Sequence, residues 1–108
     1  MSNVKKNKIY DLEERTAKFG EIMIGLAKQI PKGVIMASLI NQLVRAGTSV
    51  GANYCEADCA ESRKDFEHKL GICKKEAKES KHWLRMIVKA TPELKNDARR
   101  IWREANEL

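Results

Sequence analysis

The stretch that decides the fold is residues 62–90, SRKDFEHKLGICKKEAKESKHWLRMIVKA. Apolar or small residues recur along it at alternating spacings of four and three, which is the heptad pattern of a helix packed along one seam. A serine at position 62 with an aspartate three residues later is typical of a helix N-cap. The pattern therefore predicts a long helix whose buried seam consists of Phe66, Leu70, Cys73, Ala77, Ser80, Leu84 and Ile87.

Two segments upstream repeat this pattern. Residues 10–30 predict a helix that Asp11 caps and that ends at Pro31 and Gly33. Residues 34–59 predict a second helix in which Gly47 and Gly51 make the middle thin, and we expect another helix to approach closely there. The predicted seams are Leu12, Thr16, Phe19, Met23, Leu26 and Ile30 in the first helix, and Met36, Ile40, Leu43, Gly47, Val50, Tyr54 and Ala57 in the second.

A fourth helix is predicted after Thr91, with Thr91 as its N-cap and Pro92 at its first position. Its seam is Leu94, Ala98, Ile101, Ala105 and Leu108, and we expect this helix to be short or truncated. Short connections make neighbouring helices antiparallel. The chain of 108 residues therefore predicts an all-α fold. The predicted fold is one up-down-up-down antiparallel four-helix bundle over residues 10–108, and a basic flexible tail is expected at residues 1–9.

Composition narrows the class of protein. The net charge is +6, and residues 62–103 hold 13 basic and 6 acidic side chains, so that a polyanion partner is expected to meet the second half. Three cysteines without disulfide-scaffold spacing indicate a reduced, cytoplasmic protein. Apolar runs are too short for a membrane span, and the polar N-terminus is not a signal peptide.

Two faces of the helices remain unexplained by the bundle seam. On the third helix, five cations lie within about 60° to 140° of the seam and form a stripe about 20 Å long. This stripe is either a solvated face or a set of phosphate contacts along a nucleic-acid backbone, and it consists of Lys74, Lys78, Lys81, Arg85 and Lys89.

The other face lies on the third helix and is polar, with three large apolar residues, Ile72, Trp83 and Met86. It suits either a wide core stripe or a subunit interface. On the second helix, a row of polar residues beside the glycines suits either a hydrogen-bonded network at a helix–helix or subunit contact or an exposed polar face. Arg45 and Glu56 lie about 16 Å apart along its axis, so each needs a partner on another helix or chain. The candidate interface residues are Gln42, Arg45, Ser49, Asn53, Glu56, Ile72, Glu76, Glu79 and Trp83, with Met86 just beyond.

Catalytic and metal motifs are missing from the sequence. Cys55 and Cys59 share a helix face but lack the companion ligands of a zinc site, and Cys73 falls in the core seam. The sequence has no glycine-rich phosphate loop, nucleophile elbow or HExxH motif. We expect no enzyme activity, no metal, no cofactor and no small-molecule substrate.

Three motifs in order resemble one known family. They are YDLEERTAKF at residues 10–19, NQLVRAGTSVGANYCEA at 41–57, and SRKDFEHKL at 62–70 followed by KEAKESKHWL at 75–84. Together they resemble the 23S rRNA intervening-sequence proteins, also called the four helix bundle protein family, over residues 10–108. The chain is also similar to the accessory protein of diversity-generating retroelements.

The resemblance implies a bacterial four-helix bundle that assembles into a homopentamer. By analogy with the family, assembly or binding is expected at Lys75 and at the candidate interface residues. Five copies would carry about +30. We therefore expect a non-enzymatic homopentamer that binds RNA or DNA backbone through the basic stripe. The alternative is a scaffold that docks a protein partner, such as a reverse transcriptase, with no direct nucleic-acid role.

Overall fold

The computed structural model describes the backbone of residues 3–108 and the side chains from Leu12 onward. Over that range the chain forms four helices and no strand: α1 (Asn3–Gln29), α2 (Val34–Asp58), α3 (Arg63–Ala90) and α4 (Lys95–Glu107), with a 3₁₀ turn at Pro92–Leu94. Each helix packs against its neighbours in sequence, and α4 closes the cycle against α1. The predicted four-helix bundle is confirmed, with extents of 49 × 25 × 18 Å.

Contacts between helix ends show the antiparallel order. Gln29 at the end of α1 borders the same pocket as Asp97 near the start of α4. Arg15 in the middle of α1, by contrast, pairs with Glu104 late in α4 through an Nε–Oε2 distance of 3.1 Å. Lys69, early in α3, pairs with Glu56, late in α2. Neighbouring helices therefore run in opposite directions, as their short connections require.

The helix starts agree with the predictions only in part. The amide of Asp65 donates to Oγ of Ser62 at 3.0 Å, which confirms the cap of α3. Thr91 makes no side-chain cap hydrogen bond to α4, because it also ends α3 and its own amide donates to the carbonyl of Ile87 at 2.7 Å. The chain therefore passes through a 3₁₀ turn before α4 begins at Lys95.

The first helix begins earlier than predicted. It starts at Asn3, so the predicted N-cap at Asp11 is wrong and residues 3–9 have helical backbone. This segment contains neither glycine nor proline, and its lysines favour a helix. The first two residues of the predicted tail lie outside the described residues, and the flexibility of the tail stays a prediction.

The predicted seams form the core. The buried apolar cluster takes members from all four helices, with Phe19, Met23, Leu43, Leu84 and Ile87 almost completely buried. Ser80, the polar member of the α3 seam, is fully buried and donates from Oγ to the carbonyl of Glu76 at 2.8 Å. Each of the five large apolar side chains of the core, from Phe19 to Ile87, stabilises the fold by about 1.5–3 kcal/mol when buried rather than exposed.

Two glycines let α2 lie close to α1, as predicted. A β-carbon on Gly47 would come within 2.5 Å of Cγ of Met23, and one on Gly51 within 3.2 Å of the carbonyl oxygen of Thr16. A side chain at either position would push the helices apart. The thin middle of α2 is therefore a helix–helix contact within this chain.

Within the described residues, α4 lies against only part of the length of α3. It has 13 residues, whereas α3 has 28, and its last turn lies beside Lys74 and Lys78. The N-terminal part of α3 therefore has no α4 opposite it. Phe66, a predicted core residue, is consequently 37% exposed, and Leu12 on α1 is 36% exposed.

Candidate nucleic-acid interface

The two outer flanks of α3 carry different chemistry. The flank toward α2 holds acids, a lysine and Trp83, and the flank toward α4 holds five cations. We call the first the polar seam and the second the basic face. The polar seam comprises the nine candidate interface residues and Lys69, and the basic face comprises Lys74, Lys78, Lys81, Arg85 and Lys89 of α3 with Lys95, Arg99 and Arg103 of α4.

Arg45 is the centre of the polar seam. Its Nη1 lies 3.3 Å from Oε1 of Glu76, and its Nη2 forms a short ion pair with Glu79. Its Nε donates to Oε1 of Gln42 at 3.1 Å. The partners predicted to lie on another helix or chain are therefore found on α3 of the same chain. Glu76 is buried, so Arg45 supplies the positive charge that its carboxylate needs.

The remaining polar residues of the seam are also satisfied within the chain. Ser49 donates from Oγ to the carbonyl of Arg45 at 2.6 Å, and Asn53 donates from Nδ2 to the carbonyl of Ser49 at 2.8 Å. These bonds stay within α2, and the contacts of this seam that join α2 to α3 are those of Arg45 and Glu56. Lys69 Nζ lies 2.7 Å from Oε1 of Glu56, and this hydrogen bond raises the pKa of Lys69.

Trp83 and Ile72 form the apolar part of the polar seam. Both are half-buried, and Trp83 packs against the core of its own chain while its Nε1 donates to Oε1 of Glu79 at 3.3 Å. These contacts favour the interpretation in which Trp83 belongs to a wide core stripe. A subunit interface along this seam stays a prediction.

The five cations predicted on α3 lie on one side of the helix, as expected. Four of them are exposed, and Lys81 is half-buried where α4 crosses. Lys74, Lys78 and Lys81 border a cleft of about 340 Å³ against the last turn of α4. Among the side chains that border this cleft, that of Glu107 is the only acidic one, and it pairs with Arg15.

The fourth helix extends the basic face, which sequence reasoning missed. Lys95, Arg99 and Arg103 follow one another at intervals of four residues and therefore share one side of α4. Together with Arg85 they line a groove of about 530 Å³ between α3 and α4. The spacing that identified the stripe on α3 was present here too, and applying it to α4 would have found these three residues.

Trp102 lies in this groove and is 42% exposed. The ammonium of Lys81 lies 4.6 Å from the centre of the Trp102 ring, and it also donates to Oδ1 of Asn106 at 2.9 Å. The cation–π contact joins the stripe on α3 to the groove on α4. Trp102 was absent from the predicted site residues, since the sequence alone did not show that it lay beside the stripe.

The cations of the basic face have no acidic partner in the part of the chain that the structure describes. Every ion pair found there involves Arg15, Arg45, Arg63, Lys69 or Arg100. The acids of α4 point the other way: Asp97 pairs with Arg100, and Glu104 pairs with Arg15 of α1. Helix α4 therefore has an acidic side toward α1 and a basic side toward α3, which leaves eight cations on one surface.

Other chemistry is sparse among the described residues. No group of three or more histidine, cysteine or acidic side chains there is arranged to hold a metal ion. None of the described helices combines the length and the apolar character that crossing a membrane requires. Cys55 and Cys59 are exposed, and Cys73 is buried as predicted, with burial raising the pKa of its thiol.

The fold and the basic face define a small, basic, all-helical bundle protein. The chain belongs to the 23S rRNA-intervening sequence protein family, whose model matches residues 5–108. This match confirms the resemblance found in the three sequence motifs.

A solved structure supports the same assignment. The chain is similar to a protein of unknown function from the S23 ribosomal protein family of Bacteroides thetaiotaomicron VPI-5482, whose crystal structure was determined at 1.70 Å resolution. The two are 30% identical, the match covers 89% of each chain, and the TM-score is 0.79. No curated protein matches the chain.

Proposed function

We propose that this protein is a non-enzymatic, cytoplasmic bundle that binds the phosphate backbone of RNA or DNA through its basic face. The observation that carries the proposal is the set of eight cations on the α3–α4 surface that pair with no acid in the described chain. The polar seam shows that this fold pairs its cations within the chain where acids are available. Unpaired cations on one surface favour a partner that brings its own negative charge.

The proposal includes assembly into a homopentamer. Five basic faces on one particle would raise the effective concentration of binding sites for a long polyanion. Light scattering coupled to size-exclusion chromatography tests this directly, with an expected mass of about five times 12.3 kDa. A monomeric particle would contradict the assembly and leave the basic face of a single chain to account for any affinity.

The binding test uses a matched pair of charge-reversal variants. Lys78→Glu/Arg85→Glu changes two exposed cations of the basic face, and Lys18→Glu/Lys28→Glu makes the same charge change on exposed lysines of α1. Fluorescence anisotropy with a labelled RNA or DNA of about 20 nucleotides measures affinity at several salt concentrations. Circular dichroism checks that both variants keep their helices.

We expect the wild-type affinity to fall steeply with salt, since binding to phosphates releases counterions. The basic-face variant should lower the slope of log K against log salt by about 2, one for each phosphate contact removed. The α1 variant should change the slope much less. Equal effects of the two variants would show that only net charge matters, and would contradict the assignment of the basic face.

The rival role is a scaffold that docks a protein partner. Tight, salt-insensitive binding to a protein, together with no affinity for either nucleic acid, would favour it and overturn the proposal.

A further inference from the structure

The groove between α3 and α4 combines two features that a surface for phosphate alone does not need. Four cations line it, Arg85, Lys95, Arg99 and Arg103, and no carboxylate does. Between them lies Trp102, with 42% of its surface open. A large aromatic ring left open to water among arginines is the composition of a site that stacks a base.

The groove is large enough to take a base. Its volume of about 530 Å³ falls in the range of about 300–1,000 Å³ that is typical of small-molecule sites. Leu84 and Ala98, both buried, contribute to its apolar floor. The cations and the ring therefore border one concave space.

One approach to the Trp102 ring is already taken by a cation. The Lys81 ammonium lies 4.6 Å from the ring centre and donates to Asn106. Lys81 thus places a positive charge over one face of the ring, so a base stacks on the opposite face or displaces the ammonium. Of the whole residue, 42% is exposed.

The bases of a duplex are stacked on one another and cannot reach a ring inside a groove, whereas those of a single strand can be splayed out onto it. We propose that the α3–α4 groove binds single-stranded nucleic acid, with one base stacked on Trp102 and the neighbouring phosphates on the surrounding cations. This inference rests on the proposed function and adds to it the preference for a single strand and the residue that creates it.

The affinity test compares two probes of equal length, an unstructured oligo(dT) of about 20 nucleotides and a duplex of mixed sequence. Trp102→Ala should weaken binding to the single strand about tenfold or more and change duplex binding less than about twofold. Trp102→Tyr keeps an aromatic ring and should restore most of the single-strand affinity. Circular dichroism and thermal melting check that each variant is folded.

A spectroscopic test uses the two tryptophans as internal controls for one another. The chain contains only Trp83 and Trp102, so Trp83→Phe leaves Trp102 as the single tryptophan and Trp102→Phe leaves Trp83. Base stacking quenches indole fluorescence. We expect oligo(dT) to quench the Trp83→Phe protein strongly and the Trp102→Phe protein weakly.

The outcomes separate this inference from the proposed function. If Lys78→Glu/Arg85→Glu weakens binding to both probes while Trp102→Ala changes neither, the basic face binds phosphate and the stacking site is wrong. If the wild type binds neither probe, the proposed function fails and the inference fails with it. Stronger binding to the duplex than to oligo(dT) at equal salt would also overturn the single-strand preference.

Discussion

The polar seam and the basic face lie on opposite flanks of the same helix, yet they treat charge in opposite ways. On the polar seam, Arg45 meets Glu76 and Glu79, and Lys69 meets Glu56. On the basic face, eight cations lie together and the acids of α4 are directed to α1. The positive charge of this chain is therefore not spread evenly over its solvated surface, because one flank neutralises its charges within the chain and the other does not.

Partial burial explains why the polar seam needs internal pairing. Among the described residues every buried side-chain nitrogen and oxygen has a hydrogen-bond partner. The carboxylate of Glu76 has lost most of its water, so its charge is tolerated only beside a cation. The basic face is mostly exposed, and water solvates its cations at little cost until a polyanion replaces that water.

The largest expected effect comes from reversing charge on the α4 side of the basic face. Arg99→Glu/Arg103→Glu should weaken nucleic-acid binding about 100-fold at about 0.1 M salt, because two phosphate contacts become repulsive. Anisotropy measures the affinity, and Lys69→Gln on the polar seam is the control, with an expected change under about twofold. A larger loss in Lys69→Gln would reverse the roles of the two flanks.

The free energy of unfolding should depend more on the polar seam than on the basic face. Arg45→Ala leaves Glu76 buried without its cation and should lower the free energy of unfolding by about 1–2 kcal/mol, a modest value because Arg45 itself is 42% exposed. Lys78→Ala on the basic face should change it by less than about 0.5 kcal/mol. Urea denaturation measures both. Equal losses would mean that the seam pairs add nothing beyond surface charge.

A pair of glycine variants tests helix stability without altering any charge. A β-carbon at Gly71 on α3 would meet nothing within 4 Å, so Gly71→Ala should stabilise the protein by about 0.5–1 kcal/mol. The same change at Gly47 drives a β-carbon to 2.5 Å from Met23 and should destabilise it by about 1 kcal/mol, since overpacking exceeds the helix-propensity gain. Thermal melting compares them, and a gain at both positions would show that α1 and α2 separate without penalty.

The smallest effect is the part of the pH dependence of stability that the Lys69–Glu56 pair contributes. The hydrogen bond to Glu56 raises the pKa of Lys69 above its ordinary value of 10.5. A pKa raised by folding stabilises the protein fully below the unfolded value and loses that stabilisation as pH rises through the folded one. The wild type should therefore lose more stability than Glu56→Gln as the pH rises through and above 10.5.

The comparison with Glu56→Gln is needed in that experiment because two other groups act in the same direction. Burial raises the pKa of Tyr54 and of the Cys73 thiol, so both also reduce stability at high pH. They are present in both proteins and cancel in the difference. An identical pH profile for the two proteins would show that the Lys69–Glu56 pair does not contribute.

The fold was largely predictable because a heptad seam is a local pattern. Each helix repeats it, and the bundle buries most of the predicted positions. Two positions are exposed, Leu12 and Phe66, and they lie where the described part of α4 does not reach. Four more are half-buried: Met36, Ile40, Leu70 and Leu108. Periodicity indicates which side of a helix is apolar, but not whether a neighbouring helix reaches that far along it.

The helix starts were harder to predict because caps are short signals. Ser62 caps α3 as expected, but Asp11 lies inside α1 and Thr91 is shared between two helices. A capping residue in the sequence is only an option, and the neighbouring segment decides whether the chain takes it.

The candidate site was only half visible in the sequence. The stripe on α3 follows from helical spacing alone, since residues four apart share a side. Trp102, Lys95, Arg99 and Arg103 joined it only once α3 and α4 were placed side by side. No spacing rule relates residues on two helices whose packing is unknown.

The sequence by itself determined the number of helices, their buried sides, the charge of the second half and the family. Each of these depends on local periodicity or on motifs in order. Only the tertiary structure decided which charges are paired: it placed Glu76 and Glu79 against Arg45 and turned the acids of α4 toward α1. Pairing depends on distances of a few ångströms between separate helices, which the packing of the bundle fixes and the spacing of residues along one helix does not.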